Sequence, residues 1–404
     1  MGKSGMTEAR PDQASPDDER AVGRRLELPQ FKGRPGWEFT DISGLDLAAY
    51  EPVRAEAAAG DGNGLFALPA AAGALPDGVI VTTLQEALSR HPELIERHLG
   101  SIVDAQDAFV TLNGAGIRNG SFVYVPRGVV VEAPISLRTV QPRSGTLLNQ
   151  RTLIVLQEGA EAAVWEQYAS GEADLDGVFN VVTELIVGDN ARLRYVCGQE
   201  LSERSWIFGA QRAEIGRDGR LDWVALGFGS GRGRVRMQTR LAGEGADARV
   251  TGAYATHGRQ HIDFDTTQEH AAPNTTSDLA FRGVLQGRSS AVWKGNIIVD
   301  PGAQKTDAFQ ESRNLLLSRR AHADAIPGLE IQANDVRCTH AAAVAQVDPE
   351  QLFYLRSRGL REDTAKRLVI EGFLSALVER FEVGPVREVL GEALERRLGL
   401  ILDA

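Results

Sequence analysis

Between about residues 105 and 345, apolar positions come in short runs rich in Val, Ile, Leu, Phe and Tyr, separated by glycines and charged turns. In SFVYVPRGVVVEAPISLRTV (121–140), RTLIVLQEGAEAAVWEQY (151–168) and VFNVVTELIVGDNARLRYVC (178–197) the pattern is that of pleated strands, and helical periodicity is poor. A weak repeat lies within this texture. EGAEAAV, VGDNARLRYV, GRDGRLDWV and EGADARVTG each put a glycine-bearing turn before an alternating strand, and their glycines at 159, 188, 216 and 243 are 29, 28 and 27 residues apart. Such a period holds two or three short strands with their turns, which predicts a solenoid whose coils stack on one another. A doubly wound α/β fold would need helices between the strands. A β-sandwich is the competing architecture.

The flanks read differently. Residues 1–24 are polar and predict a disordered tail, and residues 25–104 an N-terminal helical region. Within the latter, QFKGRPGWEFTDISGLD (30–46) suggests an extended arm anchored by Trp37 and Phe39. VTTLQEALSRHPELIERHLG (81–100) predicts one helix interrupted near Pro92, or two short ones. After the 105–345 core, residues 346–404 form a predicted C-terminal helical region. Ala365, Leu368, Val369, Phe373, Ala376 and Leu377 share a helix face there, and Gly384 and Pro385 separate it from a further helix. These helices would cap the solenoid or offer a docking surface.

Composition narrows the function classes. The chain has 404 residues, 43% hydrophobic and 25% charged, with a net charge of -11 that argues against general nucleic-acid binding. No run is apolar enough for a membrane-spanning helix and the start has no signal-peptide core, so a cytoplasmic protein is expected. Two cysteines permit at most one disulfide. GFGSGRGRVR (227–236) lacks the Gly-Lys-Ser/Thr ending of a P-loop, and no Gly-x-Ser-x-Gly element is present. If nucleotide energy drives this protein, another subunit should bind the nucleotide.

Two clusters carry candidate chemistry. In DVRCTHAAAVAQVD (335–348), Cys338 and His340 stand two residues apart and share one face of a strand. A thiolate and an imidazole suit borderline or soft metals but supply half of a tetrahedral site. A nucleophile with its base, or two packed residues, fit the same spacing. In HGRQHIDFDTTQEH (257–270), His261, Asp263 and Asp265 also share a face and could form a metal or acid/base centre, or simply a solvated β surface. Paired carboxylates on a solenoid would suit a polysaccharide-active enzyme, against which the missing export signal counts. Cys197 reads as a packed strand residue.

GRPGWEFTDIS (33–43), the long segment from Phe281 to Ile331, DVRCTHAAAVAQVD and LFYLRSRGL (352–360) together resemble the SufB/SufD family of iron–sulfur cluster assembly scaffold proteins, and its SufD branch most. The similarity runs from about residue 31 to 382 and is strongest between 273 and 375. It implies a mainly β protein, a right-handed parallel β-helix with helical flanks, acting as a non-catalytic scaffold. The implied partners are a SufB-like subunit, a SufC-like ATPase bound to the C-terminal region, and downstream acceptor proteins. Leu368, Phe373 and Leu377 are the implied docking candidates. A transient iron–sulfur cluster would form in the complex, with none held stably by the isolated chain, for which a homodimer is an open alternative. His340 matches the family histidine at the SufB–SufD interface and Cys338 its neighbouring cysteine, as metal ligands completed by the partner. A partner-binding role without direct ligation remains the other option. The family motif usually resembles Cys-Ser-His-Gly-Ala-Thr-Val-Gly, whereas here alanines at 341, 343 and 345 replace both glycines and the threonine, within the run Ala341, Ala342, Ala343, Val344, Ala345.

Overall fold

The computed structural model describes residues 16–29, 36–55, 65, 75–117 and 119–402. The expected tail lies outside the described residues as far as residue 15. From Pro16 the chain is helical instead (α1, Pro16–Arg25), and Val22 and Leu26 explain why, since both pack against an apolar cluster on the solenoid. Next come β1 (Glu51–Pro52), β2 (Ile80–Thr83), α2 (Leu84–Arg90), α3 (Pro92–His98), α4 (Ala108–Gly114) and β3 (Asn119–Val125). The predicted break at Pro92 is real: α2 ends at Arg90, His91 lies between the helices, and Pro92 opens α3, where its missing N–H costs nothing.

The core then proceeds strand by strand: β4 (Ile135–Gln141), β5 (Thr146–Leu156), β6 (Glu161–Ser170), β7 (Gly177–Val187), β8 (Arg192–Glu200), β9 (Trp206–Ile215) and β10 (Arg220–Gly227). It continues through β11 (Arg232–Leu241), β12 (Asp247–Thr256), β13 (His261–His270), β14 (Thr276–Leu285), β15 (Ser290–Val299), β16 (Asp307–Leu316), β17 (His322–Ile331) and β18 (Arg337–Gln346). Helices α5 (Pro349–Ser357), α6 (Glu362–Val378) and α7 (Pro385–Leu402) follow. Odd-numbered strands from β3 to β17 lie side by side in one sheet, with β2 at its end and β1 paired to β5; even-numbered strands from β4 to β18 form the other. Each coil thus contributes one strand to each sheet. All pairings are parallel except β2 with β3. This is the expected mainly β solenoid with helical flanks, and the two-strand coil settles which of the two coil types the repeat described.

The register refines the repeat itself. Gly188, Gly216 and Gly243 occupy one turn position, each donating its N–H to the coil before, but Gly159 sits two residues further along. Gly159 belongs instead to a column of left-handed residues, Gly159, Asn190, Asp218, Gly245, Asn274 and Lys305, with φ between 52° and 74°. The turn demands positive φ, and Gly, Asn and Asp are the residues that adopt it most cheaply.

Inside the flattened coil, aromatic rings stack along the axis. Tyr254 and Phe264 lie 5.9 Å apart, Phe264 and Phe281 5.3 Å, and Phe281 and Trp293 6.4 Å. Glycines make room for them: a Cβ on Gly252 would fall 2.1 Å from the Phe281 ring, and one on Gly295 2.2 Å from the Trp293 ring. Two hydroxyls serve a carboxylate buried within the coil. Glu166 accepts from Thr152 (2.6 Å) and Tyr195 (2.5 Å), and burial pushes its carboxyl pKa up.

His270 is fully buried, with Nδ1 2.8 Å from Thr275 Oγ1 and Nε2 2.9 Å from Ser277 Oγ. Burial lowers its pKa from 6.5 to about 4. Because the unfolded chain takes the proton that the folded imidazole refuses, this contribution is intact above about pH 6.5 and is lost as pH falls toward about 4. Glu166, with its raised pKa, titrates in the opposite sense, so a difference between variants is the clean measure. His270→Gln is expected to flatten the fall in urea midpoint between about pH 7 and about pH 5. An unchanged slope would remove His270 as its source.

The flanks cover the two outer sheet faces. Ile42, Leu45, Leu47, Phe109 and Leu112 pack on Leu147, Val178 and Phe208 of the odd sheet. On the even sheet, Ile370, Leu374 and Leu377 of α6 and Val389, Leu390, Leu394 and Leu398 of α7 meet Trp165, Val196, Val224, Ala253 and Ala280. The C-terminal helices therefore lie along the side of the solenoid and do not cap its end.

Candidate functional site

That uncapped end contains the Cys-x-His segment. Among the described residues strand β17 pairs only with β15, and β18 only with β16, so two ten-residue strands each present an unpaired edge. Cys338 aligns with Ala308 and His340 with Gln310. Ala308 and Gln310 are buried inside the coil, so Cys338 and His340 belong to the inward-facing row of the last coil, which nothing covers. Cys338 is half-buried against the cluster of Ile297, Val299 and Ala308, and burial together with Asp307 raises its thiol pKa. His340 is exposed.

Around the pair the end is apolar, with Leu329 and Ile331 of β17 and Val344 of β18 exposed. The alanines at 341, 342, 343 and 345 continue the strand in register with Glu311–Ser312–Arg313 and Leu315. Replacing glycine there has kept the ladder regular, as expected from glycine's weakness in strand interiors. Among the described residues no group of three or more His, Cys, Asp or Glu could hold a metal ion. The end thus offers two donors on an open surface.

The second predicted cluster is brought together but closed. His261, Asp263 and Asp265 do share the outer face of β13. Asp263 is buried, accepts from Thr40 Oγ1 (2.6 Å) and pairs with Arg234 Nη1 (3.2 Å), while Asp265 takes the other end of the same guanidinium. Desolvation raises the Asp263 pKa, and it lowers that of His261 to about 4. Trp37 lies over Arg234 at 5.1 Å, so the arm anchored by Trp37 seals the group. Of the two carboxylates only Asp265 reaches the neighbouring cavity of about 300 Å³, which removes the paired-carboxylate enzyme reading. Cys197 is buried and free, its thiol pushed up to about 12 by desolvation and by Glu166.

The predicted docking face divides. Leu368 is 49% exposed, but Leu377 is fully buried against the even sheet, and Phe373 is half-buried with the Arg282 guanidinium 5.0 Å from its ring. Leu377 is therefore core; of the face found by periodicity only Ala365 and Leu377 are buried, and Ile370 and Leu374, which lie outside that set, complete the face that packs. The most exposed aromatics come from α5, which has no buried residue: Phe353 is 74% exposed and Tyr354 57%. The signal for them lay in LFYLRSRGL, an apolar-aromatic start without a helical stripe to bury it.

A family model described as SUF system FeS cluster assembly, SufBD core domain, matches residues 139–373, and one for the SufBD protein N-terminal region matches 63–137. The chain belongs to the SufB/SufD family. Iron-sulfur cluster assembly protein SufD of Bacillus subtilis is 34% identical over 325 residues, 80% of this chain and 74% of that one. A SufBD family iron–sulfur cluster assembly protein of Mycobacterium tuberculosis is 33% identical over 302 residues, 73% of this chain and 74% of its own length. Protein ABCI7, chloroplastic, of Arabidopsis thaliana is 30% identical over 341 residues, 81% of this chain and 70% of that one. The chain is a SufD-like scaffold protein of the SUF iron–sulfur assembly family. Among the described residues no helix is long and apolar enough to cross a membrane.

Proposed function

We propose that this SufD-like chain joins a SufB-like subunit through the open end of its solenoid, and that His340, with Cys338 beside it, contributes to an iron–sulfur cluster site the partner completes. The observation that carries the reading is the coincidence of two donors with two unpaired strand edges. Long exposed edges are normally avoided or covered, and half a ligand set has a use only if the covering surface brings the rest. The cluster is transient cargo, passed to acceptor proteins. On the same reading a SufC-like ATPase docks on Phe353, Tyr354 and Leu368, whose exposure on adjacent helices supplies the aromatic and aliphatic anchors that interfaces favour.

The test is co-expression with SufB-like and SufC-like subunits. His340→Ala is expected to leave the complex intact by mass photometry while cluster formation, followed by visible absorbance and iron content, falls to background. Normal cluster yield in the intact His340→Ala complex would sink the ligand role. Phe353→Asp is expected to release the ATPase alone. Retention of the ATPase would move its docking site elsewhere.

A further inference from the structure

Along one edge of the solenoid, where even strands turn into odd ones, arginines recur at one position. Trp206, Arg232, His261, Ser290 and His322 are aligned across successive coils. The residues two places before them are Arg204, Ser230, Arg259, Arg288 and Arg320. All four arginines are exposed, and the coil that carries Ser230 supplies exposed Arg232 instead. Arg288 donates its N–H to Gly258 O at 2.8 Å, which fixes it directly beside Arg259 on the next coil. Arg319 extends the row.

Three acids beside the strip are engaged. Glu203 is held by His257 at 2.5 Å, Asp176 lies 3.7 Å from Arg204, and Asp324 3.2 Å from His322. Arg259, Arg288, Arg319 and Arg320 have no ion-pair partner among the described residues. The opposite edge, built on the same register, shows the alternative. There Arg127 meets Glu158 at 2.9 Å, Asn274 meets Glu244 at 3.0 Å, and Lys305 pairs with Asp335. One edge alternates sign and pairs down the coils, whereas the other stacks like charges at the strand spacing of about 4.8 Å, an unfavourable arrangement in isolation. It persists on a chain whose net charge is -11.

We infer that the Arg204–Arg320 edge is a docking strip for a protein partner that presents an acidic helix face. Carboxylates at i, i+3 or i+4 and i+7 advance by about 5.4 Å per turn, close to the coil spacing of about 4.8 Å, and long arginine side chains absorb the drift. An extended acidic segment would repeat on one side only every ~6.7 Å. A nucleic-acid strand, with phosphates every ~3.4 Å of rise, would also meet the repulsion of the acidic chain as a whole. At the N-terminal end of the strip a cavity of about 300 Å³ is lined by Glu203, Arg204, Trp206, Arg232, Arg259 and Gln260, with Arg232 lying 5.6 Å from the Trp206 ring centroid. It gives the helix end a seat.

The probe is a labelled helical peptide with glutamates at i, i+4, i+7 and i+11, compared with an isomer of the same composition whose glutamates are spread around the helix. Fluorescence anisotropy with the full chain is expected to show the ordered peptide binding more tightly than its isomer. R259E/R288E should weaken it by about tenfold, as two attractions become repulsions. Arg217→Glu on the opposite edge should leave it unchanged. R259Q/R288Q, which only removes repulsion, should keep or raise the melting temperature and show a smaller loss of binding, so the comparison survives a misfolded reversal variant. Equal binding of the two isomers, no binding of either, indifference to the arginine substitutions, or displacement of the peptide by single-stranded DNA of equal charge would each overturn the assignment.

Discussion

Trp293→Ala is expected to lower the unfolding free energy by about 3–5 kcal/mol, the range for emptying a buried tryptophan site. Trp293 is fully buried in β15, beside Phe281 and over Gly295. Two features resist collapse into the space. The strand is held on both sides, by β13 and by β17, and Gly295 has no side chain with which to fill it. The effect would reach the open end, because β17 is laid on β15 and has no other neighbour in its sheet. Urea unfolding should show a lower midpoint with unchanged slope. Trp293→Phe, which keeps most of the ring, should lose much less, and a loss below about 1 kcal/mol for the alanine variant would mean that the coil relaxes freely around the gap.

A comparable loss is expected from Arg151→Met, through electrostatics instead of volume. Arg151 donates from Nε (3.1 Å) and Nη2 (2.5 Å) to Glu184 Oε1, and their side chains are 5% and 0% exposed. The Gly100 N–H reaches the same oxygen at 3.0 Å, tying the loop after α3 to the outer face of the odd sheet. Removing the cation leaves a buried carboxylate without its counter-charge, which typically costs about 3–5 kcal/mol. The double variant R151M/E184L removes both charges and should recover most of the loss. If the double variant is as unstable as the single, the damage lies in packing and not in the stranded charge.

Much of the architecture was legible because the solenoid writes itself into local sequence. The period-two runs gave strands, and the near-regular turns gave coils, since a Cβ at Gly188, Gly216 or Gly243 would fall 2.0–2.8 Å from the coil before, and the left-handed position two residues on selects mainly Gly, Asn or Asp. The same rule explains the misaligned Gly159. Glycine, asparagine and aspartate are interchangeable at that position, so a search guided by glycine alone slides by two residues. Helix α1 escaped because its formation depends on Val22 and Leu26 finding a distant apolar cluster. Pro92 marked a helix boundary through its own covalent geometry and needed no such context.

The candidate site divides along the same line. Cys338 and His340 share a face because strand alternation alone requires it. That the face is the uncovered lining of a last coil follows from where α5 to α7 go, and the amphipathic pattern of α6 could not say which sheet face or end it would meet. Leu377, on the expected docking face, is therefore core, while Phe353 lies on a helix with no apolar stripe to mark which side meets solvent. Asp263 and Asp265 were placed together by spacing, yet their confinement depends on Arg234, Thr40 and Trp37 from three other segments.

The two ends of the odd sheet differ in a way that limits how copies can grow into larger objects. One end finishes in β2, four residues long and antiparallel to its neighbour, and the other in β17, ten residues long and in line with the coils. Short terminal strands blunt further pairing and long ones invite it. A sheet that is adhesive at one end only can meet one companion sheet head to head and then has nothing left to offer. Along the odd sheet such association is self-terminating, so half of a fold whose internal logic is repetition along an axis is kept from running on.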